Sequence, residues 1–141
     1  MQRLLALKQV SLFAQLSLDQ LDAIHQATQE AEYLPGEVII REGDRGDKLY
    51  VLLEGEVAII KNHGTPSEHR LATMTSSDFI GEMAILDDAP RSATAVAVAP
   101  SKLLTLDGMS LKELIRQMPE IAFAIFPVLT HRVRDAERRL S

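Results

Sequence analysis

The chain has 141 residues, 46% hydrophobic and 25% charged, with a formal net charge of -5. That length suits one domain with its own core, and the composition excludes global disorder. A pI near 5.3 makes the whole molecule a poor binder of nucleic acid, and the absence of cysteine removes disulfides, thiolate zinc sites and cysteine nucleophiles.

No apolar run approaches the ~18 residues needed to cross a membrane, so no membrane partner is expected. The opening MQRLLALKQVSLFAQLSL is broken by Gln9, Ser11 and Gln15 and lacks a small-residue cleavage site, which argues against a signal peptide. A cytoplasmic location is expected, either for a whole protein or for a piece of a larger one.

Residues 1–30 read as helical. Leu4, Leu5, Leu7 and Val10 suit a first short helix, and Leu18, Leu21, Ile24 and Ala27 form a second apolar stripe. Ser17 followed by Gln20 is a capping-box pair, which starts that second helix near Leu18.

Residues 31–106 are written in strands. Pro35 to Glu37 is a turn before VIIR, and EGDRGD at Glu42 to Asp47 is a loop. LYVLLEGEVAIIK then carries a turn at Glu54-Gly55. Further strands are expected at Arg70 to Thr73, Thr94 to Ala99 and Leu103 to Leu106. So many short strands indicate an antiparallel β-barrel or jelly roll (a double-stranded β-helix).

Residues 107–140 return to helix: one from Asp107 to Met118, and a second that Pro119 is suited to open. The expected class is α+β, a barrel flanked by N-terminal helices and two C-terminal helices, all one domain over 1–141.

The stretch from Phe79 to Ala97, FIGEMAILDDAPRSATAVA, carries the chemistry. A glycine precedes a short apolar helical segment, Glu82 to Leu86. The polar turn 87–90 then leads to Arg91 at the entry of a small-residue strand. Amides at a helix start beside a planar guanidinium make an anion site, and a carboxylate at Glu82 accepts from hydroxyls such as those of ribose. Together they suggest a sugar phosphate. A structural Arg–Glu salt bridge is the commoner explanation of such a pair, so spacing alone leaves both readings open.

The segment resembles the phosphate-binding cassette of the cyclic nucleotide-binding domain family. The family pattern is G-E followed by four apolar or small residues, a short loop, then R-(S/T/A)-A-(T/S). Here Gly81, Glu82, Met83, Ala84, Ile85 and Leu86 are followed by Arg91, Ser92, Ala93 and Thr94, with the cassette over 80–94. LFAQLSLDQLDAI and PGEVIIREGDRGDKLYVLLEGEVAII are similar to the family's helical lead-in and glycine-marked strands.

The resemblance implies a non-catalytic sensor of cAMP, or of cGMP, with no cofactor. It implies that Glu82 accepts the ribose 2′-hydroxyl and that Arg91 pairs the cyclic phosphate. Ser92 adds a hydroxyl, while the amides of Gly81, Glu82, Met83 and Ala84 complete the nest. Ser92 suits either purine; the absence of an acidic residue at Ala136 favours cAMP.

In the family the final helix caps the base and its movement reports occupancy. That implies Arg132 as a further ligand-binding residue. Phe123 and Phe126 are expected as core between this helix and the barrel, and Pro127 is expected to bend the helix, either as a lid hinge or as a break after which it docks differently. Leu129, Val133, Ala136 and Leu140 recur at a/d-like spacing, which allows a homodimer.

Three other readings compete with this one. A metal-dependent barrel enzyme needs clustered histidines, whereas His25, His63, His69 and His131 are scattered. A transcription factor of the catabolite activator type adds a helix-turn-helix, and the sequence carries none, so either a stand-alone sensor or a regulatory domain with its effector outside this chain is expected. The third is a ligand-free domain of the same fold, used for dimerisation or protein docking.

Overall fold

The computed structural model describes residues 2–46, 48–81, 90–127, 130 and 134. Helix α1 (Gln2–Lys8), a 3-10 turn (Ser11–Phe13) and α2 (Leu18–Ala27) open the chain. The capping box at Ser17 forms in both directions: Gln20 N donates to Ser17 Oγ at 3.2 Å, and Ser17 N donates to Gln20 Oε1 at 2.9 Å. Helix α2 stops at Ala27, earlier than the expected residue 30, because Gln29–Tyr33 is strand β1.

Strands β2 (Val38–Ile40), β3 (Lys48–Glu54), β4 (Val57–Lys61), β5 (His69–Met74), β6 (Phe79–Ile80), β7 (Thr94–Ala97) and β8 (Ser101–Asp107) follow. They lie in two four-stranded antiparallel sheets ordered β1-β8-β3-β6 and β2-β7-β4-β5. Two sheets of this kind are jelly-roll-like; among the described residues no ladder joins them into the closed barrel that the strand pattern suggested. Helices α3 (Gly108–Gln117) and α4 (120–127) close the described chain.

The sheets and helices stack in three layers. Ile40, Leu52, Val57, Met74, Ala95 and Leu103 fill the space between the two sheets. On the opposite face of the first sheet, Leu49, Val51, Leu104 and Leu106 pack with Leu7, Phe13, Leu21 and Ile24 from the N-terminal helices. Leu111, Ile121 and Ile125 bring α3 and α4 into that same core. Period-two alternation sends neighbours Leu103 and Leu104 into different cores, so β8 is buried on both faces.

The turn at Glu54-Gly55 does not make a hairpin. Strand β3 pairs with β6 and β8, whereas β4 pairs with β5 and β7, so the chain changes sheets there. Gly55 has φ +112°, and a Cβ on it would collide with Ser101 and with the Pro100 carbonyl oxygen. Only glycine allows that crossing to pass so close to the start of β8.

Candidate functional site

The site is built on Arg91, which enters β7 after the polar turn. Its backbone is tied to the β2–β3 loop by a reciprocal pair: Gly43 N donates to Arg91 O, and Arg91 N donates to Asp44 O, both at 2.8 Å. Glu42 N adds a bond to Thr94 Oγ1 at 3.0 Å. The loop segment Glu42 to Asp44, which carried no role in the sequence, is therefore the clamp that fixes where the arginine starts.

The guanidinium turns back toward β3 and the end of β6. Nη2 donates to Lys48 O at 3.0 Å, and Nη1 reaches Gly81 O at 3.5 Å, at the limit of a hydrogen bond. Two glycines make room for it. A Cβ on Gly46 would lie 3.1 Å from Nη2, and one on Gly81 would lie 2.8 Å from Nη1 and overlap the Lys48 carbonyl oxygen. Gly81 also has φ +96°, a conformation costly for any residue with a Cβ.

Among the described residues its acceptors are two neutral carbonyls, and no carboxylate pairs with it. Arg91 lines a cavity of about 350 Å³ with Val38, Ile40, Arg41, Asp44, Arg45, Lys48 and Tyr50 among its walls. Among the described lining residues, Arg41, Lys48 and Arg91 bring positive charge beside the carboxylate of Asp44. Desolvating walls around net positive charge attract an anion, and that volume falls in the range used for small ligands.

A larger hollow, about 720 Å³, lies on the far side of the first sheet's edge, lined by Glu32, Glu37, Glu54 and Lys102 among others. Its carboxylates outnumber its one lysine, so it is the wrong sign for a phosphate. Lys102 Nζ there lies 3.5, 3.9 and 3.4 Å from Glu30, Glu32 and Glu54. Glu54 first, and Glu30 after it, raise the Lys102 pKa above its ordinary value.

Of the residues expected at the site, Gly81, Arg91 and Ser92 are described, and Gly81 and Arg91 are brought together. Ser92 is exposed, and its carbonyl accepts from Lys61 Nζ at 3.0 Å. Glu82, Met83, Ala84 and Arg132 lie outside the described residues, as do Leu129, Val133, Ala136 and Leu140. The chain is helical through Pro127 and again at Thr130 and Arg134. A kink serving as a hinge would fall partly on residues outside that set.

One expectation is overturned. Phe123 and Phe126 are not core: they are 74% and 53% exposed, while Ile121 and Ile125 take the buried face of α4. The rings meet edge to face with centroids 6.5 Å apart. With Pro127, Thr130 and Arg134 they line a separate hollow of about 480 Å³ that shares no residue with the Arg91 cavity. Helical period explains the error, because 121 and 125 share one face and 123 and 126 lie off it.

Among the described residues no group of three His, Cys, Asp or Glu side chains is placed to hold a metal ion. None of the described helices is long and apolar enough to cross a membrane.

Comparison with known proteins agrees with this geometry. The sequence model of the cyclic nucleotide-binding domain matches residues 30–118. The cyclic AMP receptor protein of Thermus thermophilus is 34% identical over 129 residues, covering 92% of this chain and 60% of that protein. The cAMP-dependent protein kinase regulatory subunit of Dictyostelium discoideum is 32% identical over 105 residues, covering 72% of this chain and 32% of that one. The chain thus spans less than two thirds of the length of either relative. The N-terminal domain of a transcriptional regulator from Streptomyces coelicolor A3(2) superposes with a TM-score of 0.83 at 32% identity, covering 96% of this chain and 95% of that structure. With a match from β1 to the end of α3 and the same fold in a solved relative, the chain belongs to the cyclic nucleotide-binding domain family.

Proposed function

We propose that this domain is a regulatory sensor that captures a cyclic nucleotide, cAMP in preference to cGMP, and does no chemistry on it. The observation that carries the reading is the Arg91 guanidinium. It is aimed into a positive cavity, held there by backbone carbonyls, and met by no described carboxylate. A cyclic phosphate carries one negative charge and two exocyclic oxygens, which suit a planar fork of N–H donors. Such a phosphate replaces neutral acceptors by a charged one, which strengthens each bond.

Glu82, next to Gly81 in the chain, is assigned to the ribose 2′-hydroxyl. The amides of Gly81, Glu82, Met83 and Ala84, with the Ser92 hydroxyl, are assigned to the remaining phosphate oxygens. Preference for cAMP rests on Ala136, where no acidic residue stands to read guanine. Arg132 is assigned to the closing helix, beside the ligand.

Signalling is assigned to α3 and α4. Leu111, Ile121 and Ile125 pack on the same core as β3, which begins at Lys48, and β6, which runs into Gly81. A ligand that moves those backbone carbonyls reaches the helices through packed side chains, provided it binds one helix arrangement more tightly than the other.

Calorimetric titration with cAMP and cGMP tests the reading, using the wild type and Arg91→Ala. A hydrogen bond to a charged group is worth about 1.5–3 kcal/mol, so the substitution should weaken binding about 10- to 150-fold. No heat with either nucleotide, from folded protein free of co-purified ligand, would reject the sensor. A ligand-free docking module would then be the reading left.

A further inference from the structure

We propose that Glu42 and Lys61 form a latch that positions Arg91 for its anion, a role that rests on the cyclic-nucleotide reading above. Lys61 stands at the end of β4, and its Nζ touches two segments at once. It lies 3.1 Å from Glu42 Oε2 and donates to the Ser92 carbonyl at 3.0 Å. Glu42 is fixed independently, since Oε1 accepts from Asn62 N at 2.9 Å and its own amide donates to Thr94 Oγ1. These bonds surround the reciprocal pair between Gly43, Asp44 and Arg91. Residue 91 is therefore clamped from the loop side directly, and from the β4 side through its neighbour Ser92.

The chemistry of the pair favours positioning over stability. Side chains that are 39% and 28% exposed make an ion pair worth little to folding. Its location is the informative part, because the two residues join the loop, the end of β4 and the cassette, which lie far apart in the chain. The Ser92–Ala93 peptide is trans. Holding its carbonyl on the Lys61 side therefore turns the Ala93 N–H to the opposite side. The Asn62 amide, and after it Lys61, hold the Glu42 carboxyl below its ordinary value. Glu42 is thus ionised at neutral pH.

Simple electrostatics and a latch predict different signs. If Glu42 and Lys61 acted only through their charges, Glu42→Gln would remove a repulsion and tighten anion binding, while Lys61→Met would weaken it. A latch makes both substitutions weaken it, and makes the double variant no worse than either single one.

Calorimetric titration of cAMP into the full chain decides this, at fixed salt, for wild type, Glu42→Gln, Lys61→Met, the double variant and Lys61→Arg. The expected result is an affinity about 3- to 10-fold lower in both single variants and no lower in the double. Lys61→Arg should bind close to wild type. In the unliganded proteins, the Gly43 and Arg91 amides should exchange faster in both single variants, which reads the clamp without any ligand. Tighter binding by Glu42→Gln, or wild-type affinity in both variants, overturns the latch and leaves the sensor standing. Failure of the wild type to bind any cyclic nucleotide overturns both.

Discussion

Replacing Gly81 by alanine separates backbone strain from close approach, because Gly36 supplies a matched control. The two glycines have nearly the same φ, +96° and +91°. A Cβ on Gly36 meets nothing within 4 Å, whereas one on Gly81 overlaps the Lys48 carbonyl oxygen and comes within 2.8 Å of Arg91 Nη1. Strain from a Cβ in this region costs about 1–2 kcal/mol and is common to both. Forcing a group into occupied space adds about 1–3 kcal/mol, and the carbonyl in its way is backbone that cannot rotate aside. Gly36→Ala should therefore lose about 1–2 kcal/mol and Gly81→Ala about 2–5 kcal/mol. Urea unfolding at constant slope measures both. The guanidinium displaced by the Gly81 substitution should also cost at least ~10-fold in cAMP affinity, as removing one charged hydrogen bond would, and Gly36→Ala should leave affinity unchanged. Equal destabilisation by the two variants, with wild-type affinity in Gly81→Ala, would refute the packing of Gly81 against Arg91.

Arg91→Lys keeps the charge but loses the planar fork, so titration should show cAMP affinity down by about 10-fold or more. On α4, Phe123→Ala should change unfolding free energy by no more than about 0.5 kcal/mol, and Ile121→Ala should lose about 2–5 kcal/mol; the reverse order would mean that the helix is rotated. Lys102 has a raised pKa in the folded chain, so its contribution is fully present below the ordinary value of 10.5 and is lost as pH rises through the folded one. The melting temperature of Lys102→Met should accordingly fall short of wild type at neutral pH. That gap should narrow with added salt and close at strongly alkaline pH.

Local signals carried the helices and most of the strands. The Ser17–Gln20 box, the apolar stripe from Leu18 to Ala27 and the Asp107 start of α3 depend on neighbours within a turn or two. The box forms and Leu21 and Ile24 are buried for that reason, whereas Leu18 is exposed and α3 begins at Gly108, after Asp107 has closed β8. Strand β1 gives little signal because QEAEY is mostly exposed, with only Ala31 and Tyr33 half-buried on its inner face. Its existence depends on pairing with β8, more than seventy residues away, as in Gln29 opposite Thr105. Strand β6 is only two residues long and is likewise a creature of its partner β3.

The cassette residues stood out in the chain because an arginine at a strand entry and a glycine ahead of an apolar segment are both locally unusual. Placement was another matter. Arg91 lies ten residues from Gly81 and more than forty from Gly43, Asp44 and Lys48, yet its backbone and guanidinium contact all four. No periodicity relates those positions, so Gly46 as a space for the guanidinium and Lys61 as a bridge to Ser92 were invisible. Composition and spacing determined that this chain makes helices around strands and carries an arginine suited to an anion, since those are properties of short segments. Which strands share a sheet, which face of α4 is buried and what surrounds Arg91 were decided by long-range packing. Pairing energies between distant segments choose among arrangements that local preference leaves equal.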